Sequence, residues 1–219
     1  LSEGFAPNIV TALARIGGAA VGVVANQPAH QAGTLDIGSS QKAARFVQWC
    51  DAFGLPIVSF VDTPGYQSGK DVQWRGMIRH GAELVHAYAS ATVPRLSVIL
   101  RKAYGGAYIV MDSKALGNDL ALAWPQAEVA VMGAPGAVAV LHGRRLAAID
   151  DEGERAARRA SLEADYAGRY CTPTVAAERG YIDAVIDPLD TRRVLAEGLA
   201  ALVSKREPLR WRRHANGPL

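Results

Sequence analysis

Hydrophobic residues follow two patterns that alternate along the chain, and each pattern predicts one type of element. Short, almost continuous apolar runs predict buried strands at Ala19–Ala25, Pro56–Val61, Val93–Leu100, Leu120–Trp124, Glu128–Met132 and Tyr181–Ile186. Longer amphipathic segments predict helices from Ser39 or Ser40 to Phe53, and over Val72–Ser90, Ile109–Lys114, Gly136–Arg145, Glu152–Arg169 and Thr191–Lys205. Strands joined through helices pair largely in parallel, so we expect an α/β fold. No linker divides the sequence, and residues 1–219 are therefore predicted to form a single domain.

Composition and charge narrow the classes of function. Much of the small positive excess, a net charge of +3, lies in Lys205–His214, a segment typical of a nucleic-acid contact, a solvated tail or a subunit contact. Since no basic stripe runs through the rest of the chain, we predict that the protein does not bind nucleic acid. No apolar run approaches the roughly 20 residues that cross a bilayer, so we also predict no contact with a membrane.

The cysteines indicate the cellular compartment of the protein, and the first residues indicate how the chain begins. Cys50 and Cys171 lie far apart and form no CxxC pair, so the sequence predicts neither a disulfide framework nor a zinc site. This is typical of a reducing compartment, and the alanine- and arginine-rich composition is typical of a GC-rich bacterium. We therefore expect a cytoplasmic protein, or a mitochondrial matrix protein in a eukaryote. The chain starts Leu1-Ser-Glu-Gly4, without an initiator methionine or a signal-peptide pattern, and we expect it to be cut from a longer chain, which the family resemblance described below implies to have two domains.

A pair of glycines, Gly105 and Gly106, lies between a predicted strand and a predicted helix. Glycine lets the backbone adopt unusual conformations and approach a ligand closely. The first N–H groups of a helix lack intrahelical partners and lie at the positive end of its dipole. The pattern therefore favours an anion or oxyanion site built from backbone amides, those of Gly106 and Ala107. The alternative is that the pair only lets a helix pack closely against the sheet.

Other motifs match part of a known type of site, but the further residues that such a site needs are missing from the sequence. Asp62-Thr-Pro-Gly65 matches the DxxG of GTPases, but Gly33–Ser39 lacks the lysine of a phosphate-binding loop. Ser39–Lys42 matches SxxK without its companion motifs, which makes Ser39 a helix cap. A search for metal ligands finds His80, Glu83 and His86 on one helix, a set better explained as surface or interface residues, so we predict no metal site. The acidic cluster Asp150, Asp151, Glu152 and Glu154 is interpreted as helix N-terminal charge.

A family resemblance covers nearly the whole chain. The segments that carry it are Ala14–Gly18, Val21–Pro28, Lys42–Phe46, Asp62–Tyr66, Ile78–Ala82, Ala91–Pro94, Arg101–Tyr108, Ala123–Pro125, Val131–Gly133, Ala177–Asp183, Ile186–Pro188, Thr191–Arg192, Arg213–His214 and Pro218–Leu219. Together they resemble the biotin-dependent acyl-CoA carboxylases, of the acetyl- and propionyl-CoA type. Within that family the resemblance is to the C-terminal half of the carboxyltransferase β subunit.

The resemblance implies a fold and a reaction. The fold is crotonase-like (ClpP/crotonase), a spiral of ββα units. The reaction transfers CO₂ from carboxybiotin, attached to a separate carrier domain, to the α-carbon of a short-chain acyl-CoA such as acetyl- or propionyl-CoA. The freed biotin nitrogen acts as the base for the substrate α-proton, so no side-chain base is required. The motif implies that Gly106 and Ala107 are the catalytic donors, with Gly105, Gly106, Ala107 and Tyr108 contacting biotin. Ile109 lies where propionyl-type members often have Asp, bordering the acyl pocket.

The resemblance also implies partners. They are a biotin carboxylase and biotin carrier subunit, the acyl-CoA substrate, the N-terminal carboxyltransferase half that binds the thioester, and further copies in a ring that is usually hexameric. Without that half, we expect this chain alone not to complete catalysis. The chain departs from the family pattern at Val72–Gly76 and at Gly133–Gly136.

Two alternatives follow from what the sequence leaves open. The departures motivate a non-catalytic paralogue or assembly domain of a carboxylase complex. A crotonase-type hydratase or isomerase acting on acyl-CoA directly would instead require a carboxylate beside the glycine pair.

Overall fold

The fold is built around one seven-stranded sheet. The structure is a computed structural model and describes residues 1–207 and 217–218. The strands are β1 Ile9–Ile16, β2 Ala19–Asn26, β3 Ile57–Thr63, β4 Arg95–Tyr104, β5 Leu120–Ala123, β6 Glu128–Ala130 and β7 Ala184–Val185. The helices are α1 Ile37–Ala52, α2 Lys70–Trp74, α3 Met77–Ser90, α4 Gly105–Val110, α5 Ala134–Ala147, α6 Glu152–Tyr166, α7 Pro173–Glu178 and α8 Thr191–Ala201. The predicted α/β class is confirmed.

The strands pair in the order β1-β2-β3-β4-β5-β7, and β6 pairs with β4. Only the β1–β2 hairpin is antiparallel among the described strands; the other pairs are parallel. Gly17 and Gly18 form its turn with φ values of 58° and 88°, as a two-residue hairpin with positive φ at both positions requires. The sequence analysis missed β1. Its signal is alternation of apolar residues directly before a glycine pair.

Strand β4 has two different neighbours along one edge. Leu96 to Ile99 pair with β5, whereas Lys102 to Tyr104 pair with β6. On its other edge β4 pairs with β3, and the register shifts between Val61 and Thr63. The end of β4 therefore extends beyond β5 and is supported by β6, and α4 begins there.

Alternate strand residues fill two cores, one on each face of the sheet. Ile57 and Ile99 belong to a cluster with residues of α1 and α3, such as Val47 and Leu84. Val58, Leu96, Val98 and Leu122 belong to a second cluster with Leu195 and Leu199 of α8. Because successive strand side chains point to opposite faces, continuous apolar runs are what a sheet covered on both sides requires.

Several predicted elements differ in extent. The helix predicted over Val72–Ser90 is two helices, α2 and α3, because Gly76 between them adopts a left-handed conformation with φ 84°. The strand predicted over Tyr181–Ile186 is shorter and consists of β7 alone, Ala184–Val185. The last helix, predicted to reach Lys205, ends at Ala201. Helix α6 ends at Tyr166 and continues as a π-helical turn, Ala167–Cys171.

The start of α1 corrects the assignment of its cap. Asp36, not Ser39, is the N-cap residue, and its Oδ1 accepts a hydrogen bond from the Ser39 N–H at 2.8 Å. Ser39 Oγ accepts in turn from the Asp36 N–H at 2.8 Å. This reciprocal pair is a capping box with serine in place of Glu or Gln, and Ser39, being fully buried, is available for no other chemistry.

The remaining predictions concern the cysteines, the acidic cluster, membrane-spanning segments and the basic segment. Both cysteines are buried and free, and Asp151 caps α6 with Glu152 and Glu154 in its first turn, as interpreted from the acidic cluster. None of the helices in the described residues is long and apolar enough to cross a membrane. Residues 208–216 and 219 lie outside the described part of the chain, and they include 208–214 of the basic segment and Arg213, His214 and Leu219 of the resemblance.

Candidate active site

The glycine pair lies at the junction of β4 and α4. Tyr104 is the N-cap residue, and α4 begins directly at Gly105. The helix predicted over Ile109–Lys114 is therefore misplaced: α4 begins four residues earlier and ends at Val110, and a 3₁₀ turn occupies Lys114–Leu116. The physical reason is Asp112, whose φ of 60° is incompatible with a right-handed helix.

The two glycines have different roles. Gly105 has a φ of 58°, and a Cβ at this position would lie 3.1 Å from the carbonyl oxygen of Val131. Both conformation and space therefore require glycine there. Gly106 has no such constraint, is exposed, and a Cβ would meet only the ring of Tyr66 at 3.8 Å. The chain is thus accessible at Gly106 and fixed at Gly105.

The backbone amides of Gly106 and Ala107 lie in the first turn of α4. N–H groups in this turn have no carbonyl four residues earlier within the helix to bind. The dipoles of the peptide groups place partial positive charge at the same end. Ala107 is fully buried, so its side chain anchors the helix start in the core. This arrangement suits an oxygen that carries negative charge.

Tyr104 fixes the end of β4 through its side chain. Its hydroxyl donates a hydrogen bond to a carboxylate oxygen of Glu128 in β6. A Cβ on Gly133 would lie 3.1–3.3 Å from the Tyr104 ring, so the ring occupies the space that glycine leaves free. Burial, followed by the hydrogen bond to Glu128, raises the pKa of Tyr104, which therefore remains a neutral phenol.

Asp62 holds the same strand from the β3 side. Its carboxylate accepts hydrogen bonds from Arg101 Nε at 3.1–3.2 Å and from the Lys102 N–H at 3.2 Å. The Asp62 N–H donates to Asn26 Oδ1 at 3.1 Å. The Asp-Thr-Pro-Gly motif therefore positions β4 at the register shift, and its carboxylate is engaged with the strand.

Tyr108 and Ile109 follow the glycine pair in α4 and differ in their surroundings. The Tyr108 hydroxyl donates to the carbonyl oxygen of Tyr181 at 3.3 Å, which ties α4 to the segment before β7. Burial raises the pKa of Tyr108 to about 12. Ile109 is 46% exposed, so it is available for contact with an apolar group. The five predicted residues are contiguous, but only Gly106 and Ile109 are exposed.

The predicted surface residues on α3 form a local cluster. His80 Nδ1 lies 2.7 Å from Glu83 Oε1 and 3.2 Å from Gln41 Nε2 of α1. Within residues 1–207 and 217–218, no group of three His, Cys, Asp or Glu side chains is arranged to hold a metal ion. The cluster therefore links α1 to α3.

A buried ion pair supports the far end of α4. Arg95 Nη1 lies 2.7 Å from Asp112 Oδ1, and Asn118 Nδ2 donates to Asp112 Oδ2 at 2.9 Å. Arg95 Nη2 donates to the carbonyl oxygens of Leu116 and Gly117 at 2.9 and 2.7 Å. Both charged side chains are almost fully buried. The network closes the turn that ends α4, and the sequence analysis gave no sign of it.

The buried carboxyl of this pair makes the stability depend on pH. Burial raises the pKa of Asp112 from 3.8 to about 6, although the Arg95 guanidinium lowers it. Between these values the folded protein binds a proton that the unfolded chain releases, so raising the pH through this window lowers stability. We expect the free energy of unfolding, measured with urea between about pH 4 and pH 7, to fall more in the wild type than in Asp112→Asn. Parallel pH profiles of the two proteins would contradict this.

Comparison with known proteins places this arrangement in a class and then in a family. The fold is crotonase-like, as predicted, and among the solved structures that it matches are a transcarboxylase and the β subunit of an acyl-CoA carboxylase. One is a transcarboxylase 12S crystal structure, described as a hexamer assembly with methylmalonyl-coenzyme A bound (TM-score 0.92, 48% identity, 99% of this chain and 41% of that one). Another is the β subunit of geranyl-CoA carboxylase from P. aeruginosa (TM-score 0.79, 25% identity, 100% of this chain and 41% of that one).

The sequence identifies the family. Residues 1–217 match the carboxyl transferase domain, and the chain belongs to this family. It is 55% identical over 216 residues to the propionyl-CoA carboxylase beta chain of Saccharopolyspora erythraea, covering 98% of this chain and 40% of the relative. It is 52% identical to the propionyl-CoA carboxylase carboxyltransferase subunit of Haloferax mediterranei, covering 100% of this chain and 42% of the relative. The chain thus spans about two fifths of the length of these relatives.

Proposed function

We propose that this chain is the biotin-side domain of a biotin-dependent acyl-CoA carboxyltransferase. The observation that carries the proposal is the exposed backbone of Gly106 in the first turn of α4, between a constrained Gly105 and a buried Ala107. The end of β4 is held on one side by Asp62 and on the other by Glu128, so the amides are fixed before a ligand arrives. Preorganised donors of this kind stabilise charge at little reorganisation cost.

The proposed ligand oxygen is the ureido oxygen of biotin. Bound carboxybiotin supplies the carboxyl group, and its loss leaves negative charge on that oxygen. The N–H groups of Gly106 and Ala107 donate to the oxygen, and one such donor contributes about 3 kcal/mol to the transition state. Gly105 and Tyr108 complete the proposed contact, Gly105 through its conformation and Tyr108 by anchoring α4. Gly106 fits this group because its backbone is exposed.

The proposed acceptor is a short-chain acyl-CoA, either acetyl- or propionyl-CoA. Ile109 follows the glycine pair by one helical turn and is partly exposed, so its apolar side chain can contact the acyl group. The thioester itself requires a second set of donors, which we assign to the N-terminal carboxyltransferase half. The other proposed partners are a biotin carboxylase and biotin carrier subunit and further copies of the protein in a hexamer. We propose a cytoplasmic location.

The alternative functions are less well supported. The Gly133–Gly136 departure begins α5 with Pro135 in its first turn, where proline is favoured, so the change is compatible with the helix. Both carboxylates beside β4 have partners: Asp62 binds Arg101, and Glu128 accepts from Tyr104. A hydratase would need one of them as acid or base. The biotin titration described next distinguishes the proposed function from an assembly domain that does not bind biotin.

The test is an amide chemical-shift titration of the ¹⁵N-labelled chain with biotin and, separately, with CoA. We expect biotin to shift the Gly106 and Ala107 signals, since the ureido oxygen accepts hydrogen bonds from both groups. 2-Iminobiotin, which lacks that oxygen, is the control ligand and should leave these signals nearly unchanged. Gly106→Ala adds a methyl group beside the proposed donor N–H, so we expect biotin affinity to fall by about tenfold or more, or ~1.4 kcal/mol.

The matched control is Gly143→Ala in α5, where a Cβ would meet nothing within 4 Å. It should bind biotin like the wild type. A folded wild-type chain that shows no shift with biotin would count against the proposal and in favour of an assembly domain. A response to CoA alone would indicate a crotonase-type enzyme.

A further inference from the structure

The ring of Tyr66 lies between α3 and α4 and faces a glycine on each helix. A Cβ built on Gly81 of α3 would lie 3.1 Å from Tyr66 Oη and 3.3 Å from Cε1 and Cζ. A Cβ built on Gly106 of α4 would lie 3.8 Å from Cε2 and 3.9 Å from Cδ2. Opposite edges of one rigid ring therefore face the two helices.

The backbone around Tyr66 holds the ring in place. Leu35 and Tyr66 form an isolated parallel β-bridge. The Leu35 N–H donates to the carbonyl oxygen of Gly65 at 3.0 Å, and the Gln67 N–H donates to that of Leu35 at 2.7 Å. The backbone from which the ring projects is thus held by hydrogen bonds, so the position of the ring is set by its own side-chain torsions and by the atoms packed against it.

Glycine at position 81 leaves the space that the ring occupies. This residue lies within α3, where glycine weakens a helix relative to alanine. Its buried position and the 3.1 Å approach of Tyr66 Oη explain the choice, because any side chain would push the ring towards α4. Gly106 faces the opposite edge of the ring, so a displacement of the ring would press on the first turn of α4.

The hydroxyl of Tyr66 adds no hydrogen bond to this contact. Its oxygen is buried and has no hydrogen-bond partner among the described residues. Burial raises its pKa, so the group stays neutral. A buried polar group without a partner does not stabilise the fold. The contribution of Tyr66 therefore comes from the shape of its ring.

We propose that Tyr66 is a positioning residue that sets the spacing between α3 and α4 and thereby fixes the N–H group of Gly106. This inference rests on the proposed function, in which that N–H group contacts the ureido oxygen of biotin. It adds a residue that acts on the site from the loop after β3 through packing alone.

The experiment compares four variants of the labelled chain: Tyr66→Phe, Tyr66→Ala, Gly81→Ala and the double variant Gly81→Ala/Tyr66→Phe. We expect Tyr66→Phe to bind biotin within about twofold of the wild type, because the ring is retained. Tyr66→Ala and Gly81→Ala should each weaken biotin binding by about fivefold or more and shift the Gly106 amide signal in the free chain. The double variant should recover part of both effects, because the closest atom to the new methyl, Tyr66 Oη, is gone.

Phe46→Ala is the matched control for lost stability. Phe46 is a buried aromatic residue of α1 that lies against Gly22 in β2. It should lower stability without moving the Gly106 signal or changing the biotin affinity of the folded protein. If Phe46→Ala and Tyr66→Ala behave alike, or if Tyr66→Phe is as impaired as Tyr66→Ala, the proposed positioning role is wrong.

Failure of the proposed function gives a different result. If biotin shifts no amide signal of the wild-type chain, the proposed binding of biotin is wrong. The proposed role of Tyr66 in the spacing of α3 and α4 is then tested on the chain without ligand. A Gly106 shift in Gly81→Ala that the double variant reverses supports the role of the Tyr66 ring. An unchanged Gly106 signal in Gly81→Ala overturns it.

Discussion

Replacing Asp112 by alanine is expected to lower the free energy of unfolding at pH 7 by about 3–5 kcal/mol. The substitution leaves the Arg95 guanidinium almost fully buried without its counter-charge, 2.7 Å from where the carboxylate oxygen was. It also removes the acceptor of Asn118 Nδ2. Urea denaturation followed by circular dichroism measures the loss, and the Gly106 amide signal reports whether the end of α4 moves with it.

The control for this prediction is an ion pair on the surface. Asp190 contacts Arg193 at 2.9 Å, but both side chains are about half exposed, so Asp190→Ala should cost less than about 1 kcal/mol. A third protein, Arg95→Met/Asp112→Leu, removes both charges and should be more stable than Asp112→Ala, since no unpaired charge remains. If Asp112→Ala costs no more than the surface variant, the buried pair does not support α4.

Replacing Gly105 by alanine is expected to abolish the biotin response and to lower stability by about 2 kcal/mol or more. A left-handed conformation costs a non-glycine residue about 1–2 kcal/mol, and the new Cβ would lie 3.1 Å from the carbonyl oxygen of Val131. The backbone must shift, and the shift falls on the first turn of α4. The same biotin titration and a urea curve measure the two effects.

The neighbouring glycine provides the comparison. Gly106→Ala adds the same methyl one residue later, where φ is not left-handed and the nearest atom is 3.8 Å away. Its stability should stay close to that of the wild type, although its biotin affinity falls. Equal loss of stability in the two variants would show that the constraint at Gly105 has been misjudged.

Local patterns predicted most of the fold. The apolar runs of β3 and the early part of β4 identify buried parallel strands because both faces of the sheet are covered. The amphipathic pattern of Val72–Ser90 predicts one helix, and it fails at Gly76, where a left-handed residue divides the segment. Asp36 was missed as a cap because Ser39 and Ser40 offered an equally common capping residue three positions later.

Only part of the site could be predicted from the sequence, and the reason is physical. Gly105, Gly106 and Ala107 are adjacent in sequence, so a motif can contain them. The side chains that fix them come from distant segments: Asp62 from β3, Glu128 from β6 and Tyr66 from the loop after β3. The pairing of Arg95 with Asp112 likewise depends on the turn that brings α4 back to the start of β4. Spacing along the chain carries no signal for such contacts.

The shortness of α4 has a consequence for how the protein acquires its site. A helix of six residues is too short to be stable alone in water, so its conformation depends on the packing around it. Its supports span residues 62 to 181 and include strands that pair in parallel. Such contacts form slowly because they close long loops. The amides of Gly106 and Ala107 should therefore become aligned only as the sheet is completed. On the function proposed above, a nascent or partly unfolded chain then offers no aligned binding site for biotin.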